Sequence, residues 1–183
     1  MKTLVLAGLS ALALGTAFTN PVAAQTANNN TTIPTVVVTL FTPGTVAVPI
    51  DLAVATVVTN EAERLRREAN IISPITGVAI PPEIARAALD MMTDATPPVR
   101  TRMTDALSKN SGVSPGVLNQ LLTNLPSLLS NPTAGQLQNA LSAFNGFVNN
   151  ANAAFLVNPP AEFLAVHAIL LQISTAANRI PHP

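Results

Sequence analysis

From Asp51 onward the apolar positions fall into stripes with helical spacing. Leu52, Ala55, Val58, Ala62, Leu65 and Ala69 follow one another at steps of 3, 3, 4, 3 and 4. Such steps place them on one face of an amphipathic helix. Asp51 is a suitable N-cap, and Glu63–Arg67 and Arg64–Glu68 stand four residues apart as ion pairs. A strand over 52–59 competes with this reading, because Val54, Val57 and Val58 are β-branched. The unbroken stripe favours the helix. Asn70 closes it, and 71–82 is a connector punctuated by Pro and Gly.

The same pattern recurs towards the C-terminus. Pro82 starts a helix over 83–94 with Ile84, Ala88, Met91 and Met92 inward, and Thr96 caps the next, with Val99, Met103, Ala106 and Leu107 inward. Ser114-Pro115 opens 116–124, whose face is Leu118, Leu121, Leu122 and Leu125, and Pro126 ends or kinks it. Thr133 and Gln136 form a capping box before Leu137, Ala140, Leu141 and Phe144. Asn145-Gly146 then favours a turn, so 147–156 is read as a continuation or a separate short piece. Starts of the Thr/Ser/Asn-Pro type recur at Thr96, Ser114, Asn131 and Asn158, but their spacings of 18, 17 and 27 fit no solenoid.

The stretch 158–178 is different in kind. Asn158 would cap it, Pro159 would be its first helical residue, and Glu162 lies in its first turn. Phe163, Leu164, Val166, Ile169, Leu170, Leu171 and Ile173 cover most of the circumference, as in a helix buried inside a domain. His167 and Gln172 interrupt the run, which is shorter than the ~20 apolar residues a bilayer span needs. It is therefore expected to be the central helix, packed on the faces 118–125 and 137–144.

The segment before Asp51 follows other rules. Residues 1–24 carry Lys2, an apolar run over 3–18 and small residues up to Ala24, the order of a secretory signal peptide cleaved between Ala24 and Gln25. Residues 25–34 are a polar spacer expected to be disordered, with glycosylation sequons at Asn29 and Asn30 that matter only in a glycosylating host. Residues 35–50 read as an extended or β-hairpin segment: a strand over 35–41, a turn at 42–45 and a return at 46–49. The fold expected is thus mostly α, a small irregular helical bundle around the C-terminal core helix, occupying 51–183.

Composition narrows the function. The chain has no Cys, Trp or Tyr. That removes thiolate chemistry and the usual stacking platforms for bases and sugars. Nine basic and nine acidic residues balance, so no field attracts nucleic acid. Most unusual is 110–161, which contains ten Asn and no charged residue. A soluble surface normally carries charge that discourages association. An amide-covered one beside a Phe-rich face is more adhesive, which reads as self-association or docking on an unknown protein partner, with drift toward neutral polar residues in a secreted protein as the even alternative.

Few residues offer chemistry. His167 sits one turn beyond Phe163 on the apolar helix and reads first as a hydrogen-bonded histidine at the core's edge, second as an acid/base or ligand. Asp90 and Asp94 share a helix face but lack the ligand-rich loop of a cation site. Arg64, Arg66 and Arg67 are neutralised by Glu61, Glu63 and Glu68, and Arg100 and Arg102 stand beside Asp105. No nucleophile elbow, phosphate loop or zinc motif is present. No cofactor or metal is called for. The expectation is a secreted, non-catalytic structural or interaction protein of the periplasm, cell envelope or extracellular space, without a transmembrane span in its mature form. Second stands a module binding an apolar small molecule between Phe144, Phe147, Phe155, Phe163 and His167. An enzyme using His167, Glu162 or the Asp90/Asp94 pair comes third.

Overall fold

The computed structural model describes residues 20–22, 38–40, 51–68 and 70–179. Among them are two short strands, β1 (Asn20–Val22) and β2 (Val38–Leu40). Seven helices follow: α1 (Asp51–Glu68), α2 (Pro82–Thr93), α3 (Pro97–Ser108), α4 (Pro115–Asn124), α5 (Ala134–Asn150), α6 (Ala153–Val157) and α7 (Ala161–Ala177). The described part is a helical bundle. Residues 52–59 belong to α1, so the continuous stripe outweighed the mild helix aversion of its valines. Val54, Val58, Ala62 and Leu65 are buried on its inner side.

β2 lies inside the segment expected to be extended, but its antiparallel partner is β1, with Asn20 opposite Leu40 and Val22 opposite Val38. Pro21, opposite Thr39, has no N–H to give the ladder. β1 falls within the stretch read as a signal peptide. The spacer 25–34, the turn 42–45 and the return strand 46–49 lie outside the described residues.

α7 is the central post. Ten of its residues are buried, from Phe163 to Ala177, while Leu164, Leu171 and Gln172 are half-buried along one edge. Its closest backbone neighbours are α1 and α2, and α4 packs on α5. This corrects the expected packing, in which α4 and α5 both lay against α7. Small buried residues suit such close approach: Ala62 on α1, Ala85 and Ala88 on α2, and Ala165 and Ala168 on α7. α5 reaches α7 through aromatic rings instead, which hold the two backbones further apart.

One helix boundary also differs from expectation, and the structure decides a second that was open. α7 begins at Ala161, after an extended Pro160 (φ −66°, ψ 156°), and Asn158 closes α6 instead of capping α7. Pro160 biases Pro159 away from helical angles, so the helix waits until the proline pair has passed. α5 runs through Asn145-Gly146 to Asn150. A helical glycine costs only ~1 kcal/mol, and burying Phe144, Phe147 and Val148 on the continued face outweighs it. Thr96 stands at the N-cap of α3 as expected but makes no side-chain cap bond, and Pro98 removes one of the two N–H groups such a cap can serve.

Candidate functional site

The aromatic residues singled out in the sequence converge at one place. α5 presents Phe144 and Phe147 one turn apart, and α7 presents Phe163 and His167, also one turn apart. α6 contributes Phe155, whose backbone N–H donates to the Asn152 Oδ1 cap at 2.7 Å. Phe163 is the hub: its ring centroid lies 5.2 Å from Phe144, 6.0 Å from Phe147 and 5.4 Å from Phe155, the last edge-on at 83°. Phe147 meets Phe155 at 5.7 Å, and His167 stacks on Phe144 at 5.6 Å with 28° between the planes. These are ordinary ring-packing distances. The four Phe and His167 are all buried, so the rings fill one another's space.

His167 is therefore inside the core, 1% exposed, and not at its edge as the sequence suggested. The other imidazole of the chain, His182, lies outside the described residues.

The acidic pair is exposed. Asp90 is on the outer side of α2, and Asp94 is its C-cap, with the Asp94 N–H donating to the Asp90 carbonyl at 2.9 Å. No group of three or more potential metal ligands occurs among the described residues. Glu162 accepts from Arg102 Nε at 3.4 Å, tying α3 to the first turn of α7. Sequence proximity had put Arg102 with Asp105; the tertiary partner is the one the fold supplies.

Arg64 is the best-anchored charge. Its guanidinium bonds to Glu61 and Glu68 on α1 and also to the Gln172 amide on α7. Its pKa is raised, first by the hydrogen bond to Glu61, against a lowering by burial, with the charges of Glu61 and Glu68 adding to the rise. Both α1 pairs read from the sequence exist, Arg67–Glu63 at 3.9 Å with both ends exposed. Arg66 and Arg86 flank a shallow groove of about 180 Å³ between α1 and α2, floored by Leu65, Ala85 and Leu89. Asp90 borders the same groove and offsets part of its positive charge.

The charge-free stretch forms α4, α5 and α6 with their connections. Eight of its ten asparagines are exposed, and Asn124 and Asn145 are half-buried. Asn152 has a structural task that the sequence did not disclose. Besides capping α6, its Nδ2 donates to the Asn110 carbonyl at 2.8 Å, and its N–H donates to the Ser111 carbonyl at 2.7 Å. Asn110 and Gly112 both take left-handed angles there, φ 60° and 70°, and a Cβ on Gly112 would come within 3.1 Å of Asn152 Nδ2. The clue in the sequence was the run Asn110-Ser111-Gly112 itself, which favours a left-handed turn.

Fold and site together define an all-α bundle with a closed aromatic core and a neutral, amide-covered half. Among the described residues no helix is long and apolar enough to cross a membrane. Compared with known proteins, the chain matches no family model, no curated protein and no solved structure.

Proposed function

We propose that this is a secreted, non-catalytic structural protein of the periplasm, cell envelope or extracellular space, acting through self-association of its charge-free half. The observation that carries the reading is the surface of α4–α6, built of exposed Asn, Gln, Ser and Thr with no charge anywhere in 110–161. Each amide offers both a donor and an acceptor, so such a face is complementary to its own copy. No charge opposes the approach. An apolar ligand would have to part rings already packed at 5.2–6.0 Å, which makes it the weaker reading. Secretion rests on the leader pattern of 1–24. Cleavage before Gln25 removes Asn20–Val22 and leaves Val38–Leu40 without that partner strand.

Sedimentation velocity of the chain beginning at Gln25, over a hundredfold range of concentration, tests the proposal. Assembly is expected to grow with concentration. Asn139→Lys with Asn149→Lys, both exposed on α5, should return it to monomer at low salt, whereas Asp90→Lys on α2 should not. A strict monomer at every concentration overturns the reading.

A further inference from the structure

We propose that β2 is an assembly edge covered by the leader: in the uncleaved chain β1 occupies it, and once β1 is cut away the β2 of a second copy takes the same place, joining two copies about a two-fold axis at Thr39. The exchange rests on the cleavage and self-association proposed above, and it names the strand that brings the neutral faces together.

β1 lies wholly within the stretch read as leader, and β2 wholly beyond the cleavage point between Ala24 and Gln25. Their antiparallel register sets Asn20 opposite Leu40, Pro21 opposite Thr39 and Val22 opposite Val38. Among the described residues, β1 is the strand paired with β2. Losing it uncovers a row of backbone N–H and C=O groups, which template another strand. Edge strands usually discourage such pairing with charges, Lys above all, or with proline. The run from Thr35 to Phe41 has neither, and no charged residue occurs anywhere in 25–50. Its β-branched, uncharged composition is that of segments that pair with their own copies.

A second copy fits the vacated edge in the register that β1 leaves. With Thr39 opposite Thr39, Val38 stands opposite Leu40 and Leu40 opposite Val38. The pairing is the same seen from either copy, as a closed two-fold interface requires. Where β1 has Pro21, without an N–H, the second copy brings Thr39, which has one. A two-stranded ribbon is marginal by itself. Here β2 lies beside α5, the charge-free helix that carries Asn139 and Asn149. Strand edge and neutral helix face are therefore neighbours and can bind a second copy together.

Covalent linkage decides which strand wins before cleavage. Residues 23–37 tether β1 to β2, and a short tether gives an effective concentration on the order of millimolar. Separate copies at ~10 μM compete at a disadvantage of about a hundredfold. Cleavage removes that advantage, so assembly waits for processing.

Sedimentation velocity of two chains, one beginning at Asn20 and one at Gln25, reads the exchange. The chain from Gln25 should assemble at about a hundredfold lower concentration than the chain from Asn20, which keeps β1. Because the protein has no Cys, Thr39→Cys introduces a single thiol per copy. Residues directly opposite in an antiparallel pair have Cα atoms about 4.5–5.5 Å apart, within disulfide reach. Under mild oxidation, Thr39→Cys in the chain from Gln25 should link copies readily, whereas Thr32→Cys, off the two-fold axis, should link at the background rate. Equal assembly of the two chains, or equal linking at the two positions while the chain from Gln25 assembles, overturns the strand exchange and leaves self-association through α4–α6 standing. A chain from Gln25 that stays monomeric at every concentration overturns both.

Discussion

The half of the bundle built from α1, α2 and α3 and the half built from α4, α5 and α6 bury similar interiors but clothe them differently. Of the eighteen charged residues, fifteen lie in 51–109 and none in 110–161. The charged half holds its helices with ion pairs such as Arg64–Glu61, while α2 and α3 start on prolines with no side-chain cap. In the neutral half every helix start is capped by a side chain: Ser114 for α4, Thr133 for α5 and Asn152 for α6. Hydroxyls and amides there do the terminal work that charges do elsewhere. α7 belongs to both halves, close in backbone to α1 and α2 and joined to α5 and α6 through rings. Half of a bundle can thus be closed without surface charge.

The sharpest way to break the neutral half is at its ring hub. Phe163→Ala removes a fully buried ring that touches three others. The expected cost is about 3–5 kcal/mol in urea unfolding, because lost transfer energy and an unfilled cavity add. A cost under ~1 kcal/mol would mean that the two halves are not joined through these rings.

Next in size is the amide clamp. Asn152→Ala deletes the α6 cap and the bond to the Asn110 carbonyl. About 1–2 kcal/mol should be lost, with amide exchange rising first at Phe155 and in the loop after α3. Asn152→Asp keeps the acceptor for Phe155 N–H while losing the donor, so it should recover the cap alone.

Most of this architecture was legible because it is local. Stripes fix which side of a helix is buried: Leu118, Leu121, Leu122 and Leu125, and Leu137, Ala140, Leu141 and Phe144, are all buried as their spacing implied. The Thr133–Gln136 capping box is present with both bonds at 3.1 Å. The aromatic group was legible as a group, because i, i+3 and i, i+4 spacing puts Phe144 with Phe147 and Phe163 with His167. Tertiary choices were not. Nothing in the chain order says that Arg64 reaches Gln172 or Arg102 reaches Glu162. Leu128 and Leu129 are buried in an irregular turn with no period to announce them, held where Leu129 N–H donates to the Met92 carbonyl. The neutrality of the α4–α6 surface, by contrast, was visible at once, since it is a property of composition.

The smallest effect belongs to the charged half, and it tests whether that half's ion pairs do more than decorate it. Arg64 lies between Glu61 and Glu68 on its own helix and also reaches Gln172 on α7, with 37% of its side chain exposed. An exposed pair is worth about 0–1 kcal/mol, and solvent screening trims this one. The bridge to α7 adds a tertiary bond that Arg67, paired to Glu63 with 73% of its side chain exposed, lacks. Arg64→Gln should therefore cost roughly 0.5 kcal/mol more than Arg67→Gln in urea unfolding at low salt. Raising the salt should shrink the Arg67→Gln loss towards zero while leaving part of the Arg64→Gln loss, because the bond to a neutral amide is not screened as an ion pair is. Equal losses at every salt concentration would show that the Arg64–Gln172 bond adds nothing to the α1–α7 junction.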